Sequence, residues 1–180
     1  MENIRKILKN KILILDGAMG TMIQDHKLDE NDYRGDKFSD YISSLKGNND
    51  LLSITQPKII EDIHYKYLMA GADIIETNTF NANSISQSDY NLEDFVFEMN
   101  FHSAQIAKNA VKRFNKNNAD KKFVCGSIGP TNRTASLSPK VEDLSFRNVT
   151  FDELYATYYE QVDGLIKGGV DLLMIETIFD

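Results

Sequence analysis

The sequence predicts an α/β protein built from β/α units on a parallel sheet. Three observations carry this reading. Short apolar runs, Ile12-Leu13-Ile14-Leu15, Ala72 to Glu76, Lys122 to Ser127 and Val170 to Glu176, each end in polar residues. Stretches with helical spacing of apolar residues precede the second, third and fourth runs, and strands alternating with helices imply parallel pairing through right-handed crossovers. Gly71-Ala72-Asp73-Ile74-Ile75-Glu76-Thr77 is also echoed by Gly169-Val170-Asp171, an apolar run, and Glu176-Thr177. A helix ending in glycine, a short strand and a polar tip is the repeat unit of such a fold.

The first run, within KILILDGAMG, is bounded by turn signals and predicts a strand buried on both faces. Asp16 marks its end, with Gly17 and Gly20 freeing the backbone to turn. Ala18 to Gln24 is expected to begin a short helix. The polar stretch from Thr21 to Thr55 reads as a long functional loop, with a turn at Tyr33-Arg34-Gly35 and another at Gly47-Asn48-Asn49-Asp50. Pro57 suits a first helical position, where its missing N–H costs nothing. Ile59, Ile60, Ile63 and Tyr67 continue that helix to Gly71, where the second strand follows.

A second helix is predicted from about Glu93 to Asn115, with Val96, Met99, Ser103, Ile106, Ala110 and Phe114 facing inward. The third strand closes in Gly129-Pro130-Thr131-Asn132-Arg133. Thr150-Phe151-Asp152-Glu153 is a capping box, with the hydroxyl at the N-cap and the carboxylate three residues on. Leu154, Tyr158, Val162, Leu165 and Ile166 carry this helix to Gly168-Gly169 and the fourth strand.

Composition narrows the function classes. A chain of 180 residues is one domain on length, and a net charge of −7 with no basic cluster argues against nucleic acid. No apolar run approaches the roughly 18 residues of a membrane span. The N-terminal MENIRKILKNKILIL lacks the apolar length and cleavage site of a signal peptide, so the expectation is a cytoplasmic protein. Cys125 is the single cysteine, which rules out an internal disulfide and a multi-cysteine zinc site within these residues.

Two architectures fit β/α repetition. DGAMGT does not have the Gly-x-Gly-x-x-Gly spacing of a dinucleotide-binding turn. Functional-looking residues at the ends of several strands instead match the catalytic face of a (β/α)8 barrel, which typically takes about 250 residues. The sequence therefore reads as the first half of a TIM barrel, about four β/α units, truncated after strand 4.

On one shared face, the strand tips would present Asp16, Thr77-Asn78, Ser127 through Asn132, and Glu176. Two carboxylates in a partly enclosed site suit an ammonium group, because ion pairing strengthens at reduced dielectric. The backbone N–H groups of Gly17 and Ala18 suit a carboxylate. Plainer readings stand beside these: Asp16-Gly17 is equally a turn, and Glu76 and Glu176 equally cap neighbouring backbone. Cys125 reads as a small buried hydrophobe. His26, His64 and His102 form no metal-ligand pair and read as structural or surface residues. Tyr155, Tyr158 and Tyr159 read as helix packing.

LDGAMGTMIQ, GNNDLL, GADIIETNTFNA, GSIGPTNRTASLSP and DLLMIETIFD occur in this order over nearly the whole chain. This set resembles the amino-terminal homocysteine-binding module of cobalamin-dependent methionine synthase. Betaine– and S-methylmethionine–homocysteine methyltransferases are the alternative, sharing the fold, the DG turn and the strand-end glutamate.

The resemblance implies a (β/α)8 barrel binding homocysteine at the carboxyl ends of its strands. Asp16 and Glu176 would hold the amino group, Gly17 and Ala18 the carboxylate, with Thr77 and Asn78 assisting. A free thiol titrates near about 8.5 and is mostly protonated at neutral pH. In the family a zinc held by three cysteines makes it a thiolate, which then attacks the methyl group of a cobalamin charged from 5-methyltetrahydrofolate. Those cysteines lie on later strands, past Asp180, and Cys125 matches none of them. The chain alone is thus expected to be catalytically inactive, with the other barrel half and the folate and cobalamin modules as partners. A further alternative is a non-catalytic half-barrel binding protein. Open, apolar edge strands are expected to drive self-association.

Overall fold

The computed structural model describes residues 4–179. The first three residues of the basic N-terminal stretch, and Asp180 at the end of DLLMIETIFD, lie outside them. Three parallel strands, β1 (Ile74–Glu76), β2 (Phe123–Ile128) and β3 (Leu172–Ile175), form a sheet in the order β1-β2-β3. Eight helices surround them: α1 (Ile4–Ile7), α2 (Met19–Gln24), α3 (Glu30–Arg34), α4 (Leu52–Thr55), α5 (Pro57–Ala70), α6 (Ser84–Gln87), α7 (Val96–Asn115) and α8 (Phe151–Gly168).

The first predicted strand is corrected. Ile12 to Leu15 runs parallel to β1 but makes a single bridge, Leu15 to Ile74, with Ile14 O accepting from the N–H groups of Asp73 and Ile74. Ile12 is 88% and Ile14 60% exposed, so the run is not buried on both faces. Among the described residues nothing pairs with its outer side, and a strand with one neighbour keeps only part of its ladder. At the other edge, β3 exposes Leu173 and Ile175 in the same way. Only β2, flanked on both sides, is buried at every position.

The internal echo has a structural meaning. The Asp73 carboxylate accepts the N–H of Ile14, from the preceding run, and the Lys11 and Lys122 ammonium groups at 2.7 and 3.2 Å. The Asp171 carboxylate likewise accepts the N–H of Val124, from β2, at 2.8 Å, and pairs with Lys108. Each aspartate thus ties its own strand to the one before it, at the end of the sheet away from the polar tips.

Helix boundaries follow local chemistry. Pro57 opens α5, and Gly71 closes it at φ 111°, a left-handed C-cap that glycine adopts without strain. Thr150 and Glu153 form the predicted capping box of α8, which ends on Gly169 at φ 93°. The predicted second helix starts as a 3-10 turn, Glu93–Phe95, and continues as α7. All six of its predicted inward residues are buried.

The stretch from Thr21 to Thr55 is no structureless loop. It holds α2, α3, α4 and a 3-10 turn, Asn49–Leu51. Ile23, Tyr33, Phe38, Leu45, Leu51 and Leu52 join Ile60, Ile63 and Met99 in one buried cluster. Tyr33 and Arg34 end α3 rather than forming a turn, and Gly35 is its C-cap; Asp29 and Asp32 make a reciprocal capping box at its start. That D-x-x-D signal was present in the sequence. The apolar residues were too widely spaced to reveal a helical period.

The face of α8 is also corrected. Of the five predicted core residues only Leu165 is fully buried; Thr157, Gln161, Gly164 and Gly168 take the inner positions. A Cβ on Gly164 or Gly168 would stand 2.8 Å from Asn100 Cβ or 2.5 Å from Ala104 Cβ. Small residues therefore let α8 lie directly on the α7 backbone, which turns Ile166 outward. Tyr155 and Tyr159 stack on each other at 6.1 Å but stay exposed, while Tyr158 reaches inward to donate to Gly129 O. His64 is fully buried with neither ring nitrogen partnered, and burial lowers its pKa to about 4.

Candidate active site at the strand tips

Strand polarity brings the polar tips to one edge of the sheet, where Asp16, Thr77, Asn78, Glu176 and, of the stretch from Ser127 to Asn132, Ser127 alone line a cavity of about 420 Å³. Period two places Glu76 and Cys125, paired in register, on one face with Ser127 and Glu176. Asp16 arrives from the neighbouring run because its own N–H donates to Ile74 O at 2.9 Å. Its carboxylate accepts the Glu76 N–H, 3.2 and 3.1 Å from its two oxygens. The Glu176 carboxylate accepts the Ser127 hydroxyl. Thr177, at φ 59°, turns the chain sharply just after Glu176, a conformation rare for a β-branched residue.

The six residues expected at the site, Asp16, Gly17, Ala18, Thr77, Asn78 and Glu176, all line the cavity. Their side chains differ in what they are free to do. The Thr77 hydroxyl accepts from the Ser127 N–H at 3.0 Å and pairs with the Thr79 hydroxyl at 2.7 Å. The Asn78 amide donates to Asn49 O at 2.7 Å and to Ser53 Oγ. These two groups brace the floor. Gly17 lies against the Tyr67 ring, where an added Cβ would meet the hydroxyl at 3.2 Å, and Tyr67 donates to Ala18 O. Among the described residues, no hydrogen bond uses the N–H groups of Gly17 and Ala18.

Glu76, Asn49, Asp50, Phe80 and Ser127 also line the cavity. The GNND segment explains two of them. Asn48 caps the 3-10 turn and pairs with Gln87, which presents the Asp50 carboxylate to the Asn81 N–H at 3.0 Å. Glu76 was open in the sequence to a capping role. In the structure its Oε1 is buried with no partner and faces the same cavity.

The electrostatics are one-sided. Burial pushes Asp16 up to about 7, with Glu176 adding repulsion against the hydrogen bond that opposes it. Burial, then Glu176 and Asp16, push Glu76 to about 7 as well. Burial and the same three carboxylates raise Cys125 to about 12, and burial raises Asp50 to about 6. Among the described residues no lysine, arginine or histidine lines the cavity. An opposite charge close by would favour the ionised forms of these carboxylates.

A zinc site is not among what these residues offer. Among the described residues no three His, Cys, Asp or Glu side chains are grouped to hold a metal ion. Cys125 is buried within β2 and its thiol is pushed away from the thiolate that zinc binds. No described helix is long and apolar enough to cross a membrane.

Comparison with known proteins agrees with this architecture. The homocysteine methyltransferase MmuM from Escherichia coli superposes in its metallated form with a TM-score of 0.72 and 23% identity, over 97% of this chain and 57% of that one. Its oxidised form gives 0.71 and 22%, over 96% and 56%. The chain thus spans little more than half of these structures and shares the fold of that portion, consistent with a partial barrel. The family described as homocysteine S-methyltransferase matches residues 13–180, and with that match over nearly its full length the chain belongs to the homocysteine S-methyltransferase family.

Proposed function

We propose that this chain forms the amino-acid-binding half of a methyltransferase that makes methionine from homocysteine, in the manner of cobalamin-dependent methionine synthase. The observation that carries the reading is the convergence of Asp16 and Glu176 on one cavity that holds acidic groups and no cationic side chain. The α-ammonium of homocysteine would sit between the two carboxylates. Its carboxylate would meet the N–H groups of Gly17 and Ala18, and the Thr77 and Asn78 loop would keep that geometry fixed. Charge-assisted hydrogen bonds of this kind are roughly twice as strong as neutral ones. The amino-acid end is thereby oriented and the thiol directed away from the floor.

The zinc and cobalamin that the methionine-synthase resemblance implies would be held by residues other than these, since Cys125 does not fit a thiolate ligand. The reading is tested by isothermal titration of the purified chain with L-homocysteine. Binding that is lost on acetylating the ligand's amino group is expected; equal binding of the acetylated ligand would sink it.

The exposed edges carry a second expectation. Ile12 and Ile14 lie open on the run beside β1 and Ile175 on β3, and unpaired apolar edges template further pairing. Light scattering of the chain alone is expected to show concentration-dependent assembly. A clean monomer at millimolar concentration would contradict it.

A further inference from the structure

The cavity holds more carboxylates than an ammonium needs. Asp16, Glu76 and Glu176 line it from the run beside β1, the end of β1 and the residue after β3, and among the described residues Glu76 is the one whose buried oxygen lacks a hydrogen-bond donor. Asp16 receives the Glu76 N–H on both oxygens, a bond that favours its ionised form, and Glu176 receives the Ser127 hydroxyl. Glu76 Oε1 is buried and receives nothing. An uncompensated buried carboxylate is costly, and taking up a proton removes the charge.

We propose that Glu76 is the proton-carrying member of the carboxylate cluster, neutral while the site is empty and ionised when an amino acid's ammonium group enters. This rests on the amino-acid-binding reading given above and adds a linkage to it. Entry of the ammonium supplies the counter-charge that the empty site lacks. The Glu76 O–H bond then breaks, its proton leaves to solvent, and the carboxylate becomes a third acceptor for the cation. The site therefore exchanges one proton for one ammonium, and its net charge does not change.

Both carboxylates that act on Glu76 push in the same direction. Asp16 from the neighbouring run and Glu176 from the end of β3 both raise its pKa, to about 7 with burial. Cys125 on β2 is a neutral thiol and stays so. Tyr67 on α5 has its hydroxyl raised by burial and by Asp16, and is neutral too. Asp50, from the 3-10 turn, is the remaining acid on the cavity wall. Among the described residues no cationic side chain lines the cavity to release the proton in advance.

Linkage fixes the sign. Protons compete with the ligand, so affinity falls as pH drops through the pKa of Glu76. For one proton titrating near 7, L-homocysteine binding is expected to be about tenfold tighter at pH 8 than at pH 6. Titration calorimetry in buffers of different ionisation enthalpy is expected to show proton release, approaching one per ligand below pH 7. In Glu76→Gln, similar in shape but unable to ionise, binding persists with a smaller pH slope and less release, the remainder belonging to Asp16, which burial also pushes up to about 7.

A second measurement needs no ligand. Infrared spectra of the empty protein at pH 7 are expected to show the carbonyl band of a protonated carboxylic acid, diminished in Glu76→Gln. Binding without a pH slope, a slope undiminished in Glu76→Gln, or a band unchanged by the substitution overturns the role of Glu76 while leaving the pocket reading intact. No homocysteine binding at any pH overturns the pocket reading itself, and this linkage with it.

Discussion

Asp16→Asn is expected to weaken L-homocysteine binding by about 30-fold or more, the loss of a charged hydrogen bond worth about 2 kcal/mol. The substitution is nearly isosteric. Asparagine Oδ1 can still accept the Glu76 N–H that now reaches both Asp16 oxygens at 3.2 and 3.1 Å, so the turn into Gly17 should survive. What disappears is the negative charge, and it disappears beside two other acids. The folded chain itself gains from the change, because burial already holds Asp16 near 7. Denaturant midpoints should therefore hold or rise while affinity falls. Glu176→Gln should act in the same direction. The double variant should lose less than the product of the single losses, because both carboxylates face one ammonium. Unchanged affinity in Asp16→Asn would remove the main support for the pocket.

Gly129→Ala is expected to destabilise the chain by about 3 kcal/mol, at the upper end for overpacking. A Cβ at this position would lie 2.2 Å from Phe80 O and 2.9 Å from the Phe80 ring. The first contact is with backbone, which no rotamer change relieves. The end of β2 and the loop after β1 must separate, and Phe80, on the cavity wall, must move with them. Gly126→Ala is the internal control. Its Cβ would meet only the flexible ends of Leu165 and Leu173, at 3.0 and 3.1 Å, and should cost much less. Urea unfolding of both variants compares the two, and equal losses would show that the contact with Phe80 is not what makes Gly129 necessary.

The repeating unit was legible in the sequence because its signals are local. Pro57, Gly71, the Thr150–Glu153 box and the inward period of α7 each act within a few residues, through capping and amphipathic spacing. The Asp16, Thr77 and Glu176 tips were legible for the same reason, since a parallel strand that ends in a polar residue must present it at one edge of the sheet. The family resemblance was legible in the order of those tips and in the GPTNRTASLSP segment, which the structure docks by Asn132 to Asp89 and Arg133 to Ser88.

Tertiary structure decided what depends on neighbours. Whether Ile12 to Leu15 is buried depends on a strand pairing beside it, which no periodicity within the run contains. The inner face of α8 is set by how closely it lies on α7, so Gly164 and Gly168 displaced the larger residues that a hydrophobic count selects. The roles of Thr77, Asn78 and Glu76 turned on hydrogen bonds from residues tens of positions away: the first two are spent on the scaffold, and the third is left without a donor. Residue chemistry at the tips is a property of the chain; which of those groups stays free to meet a substrate is a property of the packing around them.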